Sequence, residues 1–151
     1  YLPQPEKRLF SLSDLLHNLE ELLQTNFQEN NISFTLRCSP EPMMTEGDEK
    51  QLSQVFLNLL KNAMQALEGH PHGELSLQAE QDEYIVIDIT DNGPGIPPEI
   101  MDKVFIPFFT TKSEGTGIGL SLCKEIIRRH EGHLAIKESR AGKTVFHIEL
   151  P

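Results

Sequence analysis

The sequence is short of positive charge, of cysteine and of long apolar runs, and each shortage excludes a class of protein. Thirteen Lys and Arg stand against 23 Asp and Glu in 151 residues, a formal net charge of −10. Such a chain has no positive field with which to attract a polyanion, which argues against general nucleic-acid binding. Any anionic ligand needs local help from a cation, from backbone N–H groups or from a metal ion. The two cysteines, Cys38 and Cys123, lie far apart and form no CxxC pair. This argues against a disulfide framework or a zinc site and reads as two buried thiols in a reducing compartment. No apolar run approaches the roughly 18 residues that span a membrane, and no signal-peptide pattern opens the chain. The first residue is Tyr1, not Met. The expectation is a piece of a longer protein whose other segments carry localisation and part of the function.

What is present is enough for one globular domain over residues 1–151, with 38% hydrophobic and 24% charged residues. "KRLFSL" (7–12) reads as a short strand, and Ser13 is the expected cap of an amphipathic helix to about Phe27, with Leu15, Leu16, Leu19, Leu22 and Leu23 at helical spacing. "ISFTLRC" alternates as a strand that Pro40 and Pro42 end. Asp48 followed by Gln51 is an N-cap signature, and Leu52, Val55, Phe56, Leu59, Leu60, Ala63, Met64 and Leu67 then keep the 3.6-residue period of a long helix. "ELSLQAEQ" and "YIVIDIT" predict a hairpin, as do "HLAIKES" and "TVFHIEL". Between the hairpins the pattern predicts a short helix near 98–103 and another from about Gly117 to Arg129. Three helices with a mostly antiparallel sheet predict a two-layer α/β sandwich.

Four stretches invite a chemical reading. Asn58 and Asn62 lie four apart on one side of the long helix; they are either ordinary solvated amides or carbonyl oxygens facing a cleft, able to hold Mg²⁺ or its waters. Asp91 follows Ile85, Ile87 and Ile89 at strand parity, which aims its carboxylate at the core side. A buried carboxylate needs a dedicated donor, such as the exocyclic amine of a heterocycle. A plain turn explains Asn92, Gly93 and Pro94 but not that parity. Thr144 shares a strand face with Phe146, Ile148 and Leu150, and its hydroxyl can join the same pocket. Gly115, Gly117 and Gly119 precede a helix whose free N–H groups and dipole suit a phosphate. Their spacing departs from GxGxxG, since Leu120 stands where the third glycine belongs, so this is a different phosphate loop or a simple helix start. "AGKT" (141–144) resembles the end of a P-loop but has Lys137 where the first glycine belongs, and a strand follows. The histidines give no metal pattern.

Together "NLLKNAMQAL", "DNGPGIP", "FIPFFTTK" and "GTGIGLSL" resemble, in order and spacing, the N box, first glycine box, F box and second glycine box of the ATP-binding catalytic domain of sensor histidine kinases, in the group that includes gyrases and mismatch-repair ATPases. The flanking "GDEKQLSQVFLNLL" and "GKTVFHIELP" extend the resemblance over nearly the whole chain. It implies an α+β Bergerat fold, with a mixed, mostly antiparallel sheet of about five strands on three helices.

It also implies ATP and Mg²⁺ as ligands. Asp91 would accept from the adenine amine with Thr144 in support, Asn62 would hold Mg²⁺ beside Asn58, and Gly93 and Gly95 would shape the pocket. Residues from about Ile96 to Gly115 would form a lid anchored by Phe105, Phe108 and Phe109. Lys112 and the N–H groups near Gly117 and Gly119 would meet the phosphates, with Thr111, Thr116, Ile118 and Leu120 completing the walls. The implied catalytic set is Asn58, Asn62 and Lys112.

Two positions depart from the family pattern. Gln65 stands where many members have a basic residue, leaving Lys61 as its substitute, and Asn58 stands where gyrase-type relatives have a water-activating glutamate. An amide cannot serve as a base. The implied role is therefore phosphotransfer to a histidine on a separate dimerising domain, then to a response-regulator receiver aspartate. His17, in "DLLHNLEE", lacks the acceptor context. The expected setting is cytoplasmic, including the cytoplasmic part of a membrane-anchored sensor, with no direct membrane contact and a monomeric state in isolation. An anti-sigma-factor-type serine kinase and a non-catalytic ATP-gated interaction module are the alternatives.

Overall fold

The computed structural model describes residues 2–109 and 119–151. Strand β1 (Arg8–Ser11) leads directly into helix α1 (Leu12–Glu29), followed by β2 (Ile32–Ser39), β3 (Met44–Gly47) and helix α2 (Glu49–Ala66). Strands β4 (Gly73–Gln81) and β5 (Ile85–Asp91), helix α3 (Gly119–Arg129), and strands β6 (His133–Arg140) and β7 (Lys143–Leu150) complete the order. Five strands form one sheet in the order β2-β4-β5-β7-β6, and β1 pairs with β3 in a separate two-stranded ribbon. Among the described residues only β2 and β4 run parallel; the other three contacts of the large sheet are antiparallel. No helix among the described residues is long and apolar enough to cross a membrane.

The three helices cover one face of the sheet. Leu15, Leu16, Leu19, Leu23 and Phe27 of α1 and Leu52, Val55, Phe56, Leu59, Leu60 and Ala63 of α2 are buried. They meet the alternating inward residues Leu75, Leu77 and Ala79 of β4 and Ile85, Ile87 and Ile89 of β5. This is the two-layer arrangement expected when helical stripes and a one-sided sheet share a core. Leu22, although at helical spacing, is 65% exposed.

Several local expectations change. Ser11, not Ser13, caps α1: it is extended at φ −86 and its Oγ accepts the Asp14 N–H. Ser13 lies inside the first turn, where its buried Oγ accepts the Met43 N–H at 2.9 Å. Both serines suit a cap by type, and the end of β1 decides between them. Nothing in the sequence pattern marks β3, a four-residue strand that exists because β1 pairs with it. The predicted helix near 98–103 is a 3₁₀ turn at Pro98–Ile100 followed by further turns. Cys123 is buried as expected, whereas Cys38 is only half-buried.

α2 and α3 run antiparallel. His130, buried just after α3, accepts the Asp48 N–H at Nε2 (3.0 Å), while its Nδ1 faces the Ile126 carbonyl at 2.8 Å. Because Nε2 accepts, the ring proton lies on Nδ1, which donates to that carbonyl. Further along, the Cys123 thiol approaches the Val55 carbonyl, and an Asn58 side-chain hydrogen bond meets its sulfur. Burial raises that thiol's pKa to about 12. The start of α3 is thereby set beside the C-terminal half of α2.

Candidate functional site

Strand parity aims Asp91 inward, as its place in the β5 pattern requires: Ile85, Ile87, Ile89 and Asp91 are all buried while the residues between them are half-buried. Asp91 is 4% exposed and sits directly across from Thr144, which is 3% exposed. Its Oδ1 accepts the Gly93 N–H at 2.9 Å. Burial raises the Asp91 pKa, and the Gly93 N–H opposes that rise. A carboxylate held this way favours a donor that compensates its lost hydration.

The loop after Asp91 is held tightly on both sides. Gly93 packs so close to the end of α2 that a Cβ there would lie 2.8 Å from Asp91 Oδ1 and 3.1 Å from the Ala66 carbonyl. Its own carbonyl accepts the Gly142 N–H from the β6–β7 turn at 2.8 Å. Asn92 fastens the other flank, accepting the Glu74 N–H at 2.7 Å and donating to the His72 carbonyl at 2.9 Å. Gly95 adopts φ +86 against the Arg140 backbone. The Ile96 N–H then donates to Ser139 Oγ, which lies 3.2 Å from Thr144 Oγ1.

Ser139 is a site residue that sequence reasoning missed. Plain alternation along β6 puts Leu134, Ile136 and Glu138 on one face, but a bulge between Ile136 and Glu138 shifts the parity and sets Ser139 opposite Thr144. A hairpin count alone does not reveal an extra residue. Lys124 is a second omission: its ammonium lies 4.4 Å from the centroid of the Phe105 ring, which meets Phe146 edge-on. Phe105 therefore anchors the segment after the glycine loop. Phe108 does not; it is 77% exposed at φ +69, turned outward by its left-handed backbone. Phe109 is partly buried.

Asn62 lies on the last turns of α2, half-buried, one turn before the Ala66 carbonyl that meets Gly93. The antiparallel pairing of α2 and α3 brings Gly119 and Leu120, the first residues of α3, to the same end. Asp91, Gly93, Ile96, Ser139 and Thr144 are thus joined by hydrogen bonds and strand pairing, and Asn62 and the start of α3 lie towards the end of α2 that Gly93 meets. Asn58 sits at the α2–α3 seam on Cys123. Lys61 and Gln65 lie on another flank of α2, lining a groove of about 460 Å³ against Leu22, Leu23 and Asn26 of α1. Thr111, Lys112, Gly115, Thr116, Gly117 and Ile118 lie outside the described residues.

Residues 47–151 match the family described as histidine kinase-, DNA gyrase B- and HSP90-like ATPases. The chain belongs to this family. Within it the similarity is to sensor histidine kinases. Sporulation kinase C of Bacillus subtilis is 38% identical over 93% of this chain and 33% of its own length. Sensory histidine kinase/phosphatase NtrB of Rhodobacter capsulatus is 34% identical over 97% of this chain and 44% of its own. The chain therefore spans between a third and a half of these curated relatives. The catalytic domain of histidine kinase ThkA superposes with a TM-score of 0.87 at 32% identity, covering 97% of this chain and 95% of that one. ThkA has also been crystallised in complex with the response regulator TrrA. The chain is a histidine kinase catalytic ATPase domain, with the α/β sandwich of that family.

Proposed function

We propose that this domain binds ATP with Mg²⁺ and delivers the γ-phosphate to a histidine on a separate dimerising domain of its parent protein, for relay to a response-regulator aspartate. On this reading residues 1–151 form the catalytic unit and work in the cytoplasm, without direct contact to membrane or nucleic acid. The observation that carries it is the buried Asp91 carboxylate, with Thr144 and Ser139 beside it at the end of α2. Asp91 Oδ2 accepts from the adenine amine, and the Thr144–Ser139 hydroxyl pair supports that edge of the base.

Phosphates fall at the start of α3, where the helix dipole favours negative charge in an otherwise acidic protein. The Asn62 carbonyl suits Mg²⁺, which takes few protein oxygens and fills its shell with phosphate and water. Bound there, the ion supplies charge neutralisation. Lys112, Thr111 and the Gly115–Ile118 segment complete the phosphate contacts. Because position 58 is an amide, no side chain there activates water, and the γ-phosphate is kept for another acceptor.

Gly119 offers a test that separates function from folding. A Cβ at this position meets no atom within 4 Å, so Gly119→Ala is expected to leave the melting temperature unchanged or raise stability by up to about 1 kcal/mol. ATP affinity should nevertheless fall roughly tenfold, because the methyl group blocks close approach of phosphate. Calorimetry and thermal melts on the same samples read both quantities.

Phosphotransfer is tested with γ-labelled ATP and Mg²⁺. The chain alone should bind nucleotide and remain unlabelled; adding the parent protein's dimerising domain should place acid-labile label on a histidine of that domain. Acid-stable label on a partner serine would instead identify a serine kinase. Retained ATP binding without any transfer would identify an ATP-gated interaction module.

A further inference from the structure

Away from the nucleotide cleft, one group of three metal-ligating side chains occurs among the described residues: His17 of α1, Cys38 of β2, and Glu41 of the β2–β3 connection, with ligand atoms all within 4.8 Å of one another. The group lies far from Asp91. Cys38 pairs with Ala79 and Asp91 with Leu75, which places Cys38 four residues further along the sheet and two strands away. Nothing in the nucleotide chemistry uses these residues. We propose that His17, Cys38 and Glu41 form a binding site for Zn²⁺ or a similar thiophilic divalent cation, clasping α1 to the β2–β3 connection.

The donor set is the first reason. Imidazole nitrogen, thiolate sulfur and carboxylate oxygen are the three ligand types zinc takes, and a borderline-soft ion is selected over Mg²⁺ or Ca²⁺ by the sulfur. Spacing is the second. A tetrahedral zinc with bonds of about 2.0–2.3 Å sets its ligand atoms roughly 3.3–3.7 Å apart. From within 4.8 Å of one another, the ligand atoms need to close by about 1 Å to reach that spacing. His17 and Glu41 are 46% and 48% exposed, so both can make that adjustment.

The surroundings are the third reason. Glu41 stands between Pro40 and Pro42, whose rings lock φ on either side and reduce the entropy lost when the carboxylate is fixed. Without metal, His17 Nε2 and Glu41 Oε1 are 2.6 Å apart, so the ring nitrogen that faces the carboxylate is the one a cation would take. Glu20 Oε1 lies 3.8 Å from the other nitrogen, Nδ1. Brought into hydrogen-bond range, that carboxylate would orient a metal-bound imidazole and fix its proton on Nδ1.

Binding is written as a balanced exchange. The Cys38 S–H bond breaks, its proton passes to solvent, and the Sγ electron pair forms the metal bond. The His17 ring proton that bonds Glu41 moves through solvent from Nε2 to Nδ1, which breaks the His17–Glu41 hydrogen bond and frees the Nε2 lone pair for the metal, and Glu41 supplies an oxygen. Water fills the fourth position. The sequence offered no sign of this site, because the ligands are unequally spaced and lack a CxxC or HxxxH pattern; the α1–β2 packing brings them together.

The test is a titration of the tag-free chain with Co²⁺, followed by Zn²⁺ competition. One equivalent of Co²⁺ should produce a thiolate-to-cobalt charge-transfer band that Zn²⁺ displaces, and Zn²⁺ should raise the melting temperature. Cys38→Ser should abolish the band and the thermal shift. His17→Ala and Glu41→Gln should each weaken Zn²⁺ binding by at least about tenfold, whereas replacing His70 and His72 together should change neither. Unchanged apo melting temperature and ATP affinity in these surface variants show that they fold, independently of the metal result. Absence of the band in wild type overturns the proposal. So does equal Zn²⁺ affinity in wild type, Cys38→Ser and His17→Ala, or loss of binding on replacing His70 and His72.

Discussion

Asp91→Asn is expected to lower ATP affinity on the order of 100-fold while leaving the apo fold intact. The amide oxygen still accepts the Gly93 N–H, so the loop keeps its anchor. Its NH₂ group then faces the adenine amine, two donors meet, and a buried polar pair is left unsatisfied at a cost of about 1–3 kcal/mol or more. Isothermal titration with and without Mg²⁺ measures the loss. If the variant binds as wild type does, the adenine assignment fails.

Stability should move the other way. Burial raises the Asp91 pKa in the folded protein, so folding opposes ionisation of this carboxyl. The resulting penalty is fully present above the folded pKa and fades as pH falls through it towards the unfolded value near 4. At neutral pH the apo Asn variant should therefore melt at or above the wild-type temperature, and that difference should shrink as the pH approaches 4. A variant markedly less stable than wild type at pH 7 would mean that the charged form has a partner which repays its burial.

Gly95→Ala should produce the largest loss of stability at the site. The residue adopts φ +86, and a Cβ there would lie 2.7 Å from the Arg140 oxygen and 2.8 Å from its carbonyl carbon. The left-handed conformation costs roughly 1–2 kcal/mol for an L-residue, and a backbone clash adds roughly 1–3 kcal/mol. A combined loss of about 3 kcal/mol corresponds to roughly 6–12 °C in melting temperature at this chain length. Gly142→Ala separates the two contributions, since Gly142 has φ +90 but open space for a Cβ. It should lose only the backbone part. ATP binding should fall with Gly95→Ala as well, because displacement of this loop pulls the Ile96 N–H from Ser139 and loosens its contact with Thr144. Equal melting temperatures for the two variants would show that the loop moves freely away from β6.

Periodicity makes much of this protein legible from the amino-acid order alone. The helical stripe from Leu52 to Leu67 and the alternation from Ile85 to Asp91 are local patterns; a helix has one buried stripe and a strand one buried face, so the inward parity of Asp91 follows from counting. The Asp48 cap is legible for the same reason, since its side chain bonds a backbone group three residues away. Ser11 is not, because two serines fit the pattern and only the β1–β3 ribbon decides where the strand stops. β3 itself has no local signal; it is a strand by virtue of its partner.

The sequence by itself determined the three long helices and the strands of the large sheet, the side of β5 that carries its carboxylate and, through four motifs in order, the family resemblance. Each depends on near neighbours in the chain or on residue types at fixed spacing. Only the tertiary structure decided that Ser139 joins Thr144, through a one-residue bulge that reverses the parity of β6. It also turned Phe108 outward, set Lys61 on the α1 flank of α2, and gathered His17, Cys38 and Glu41 from three separate segments. Those outcomes depend on register and packing between segments distant in sequence, and such contacts are fixed only when the sheet and its helices close on a common core.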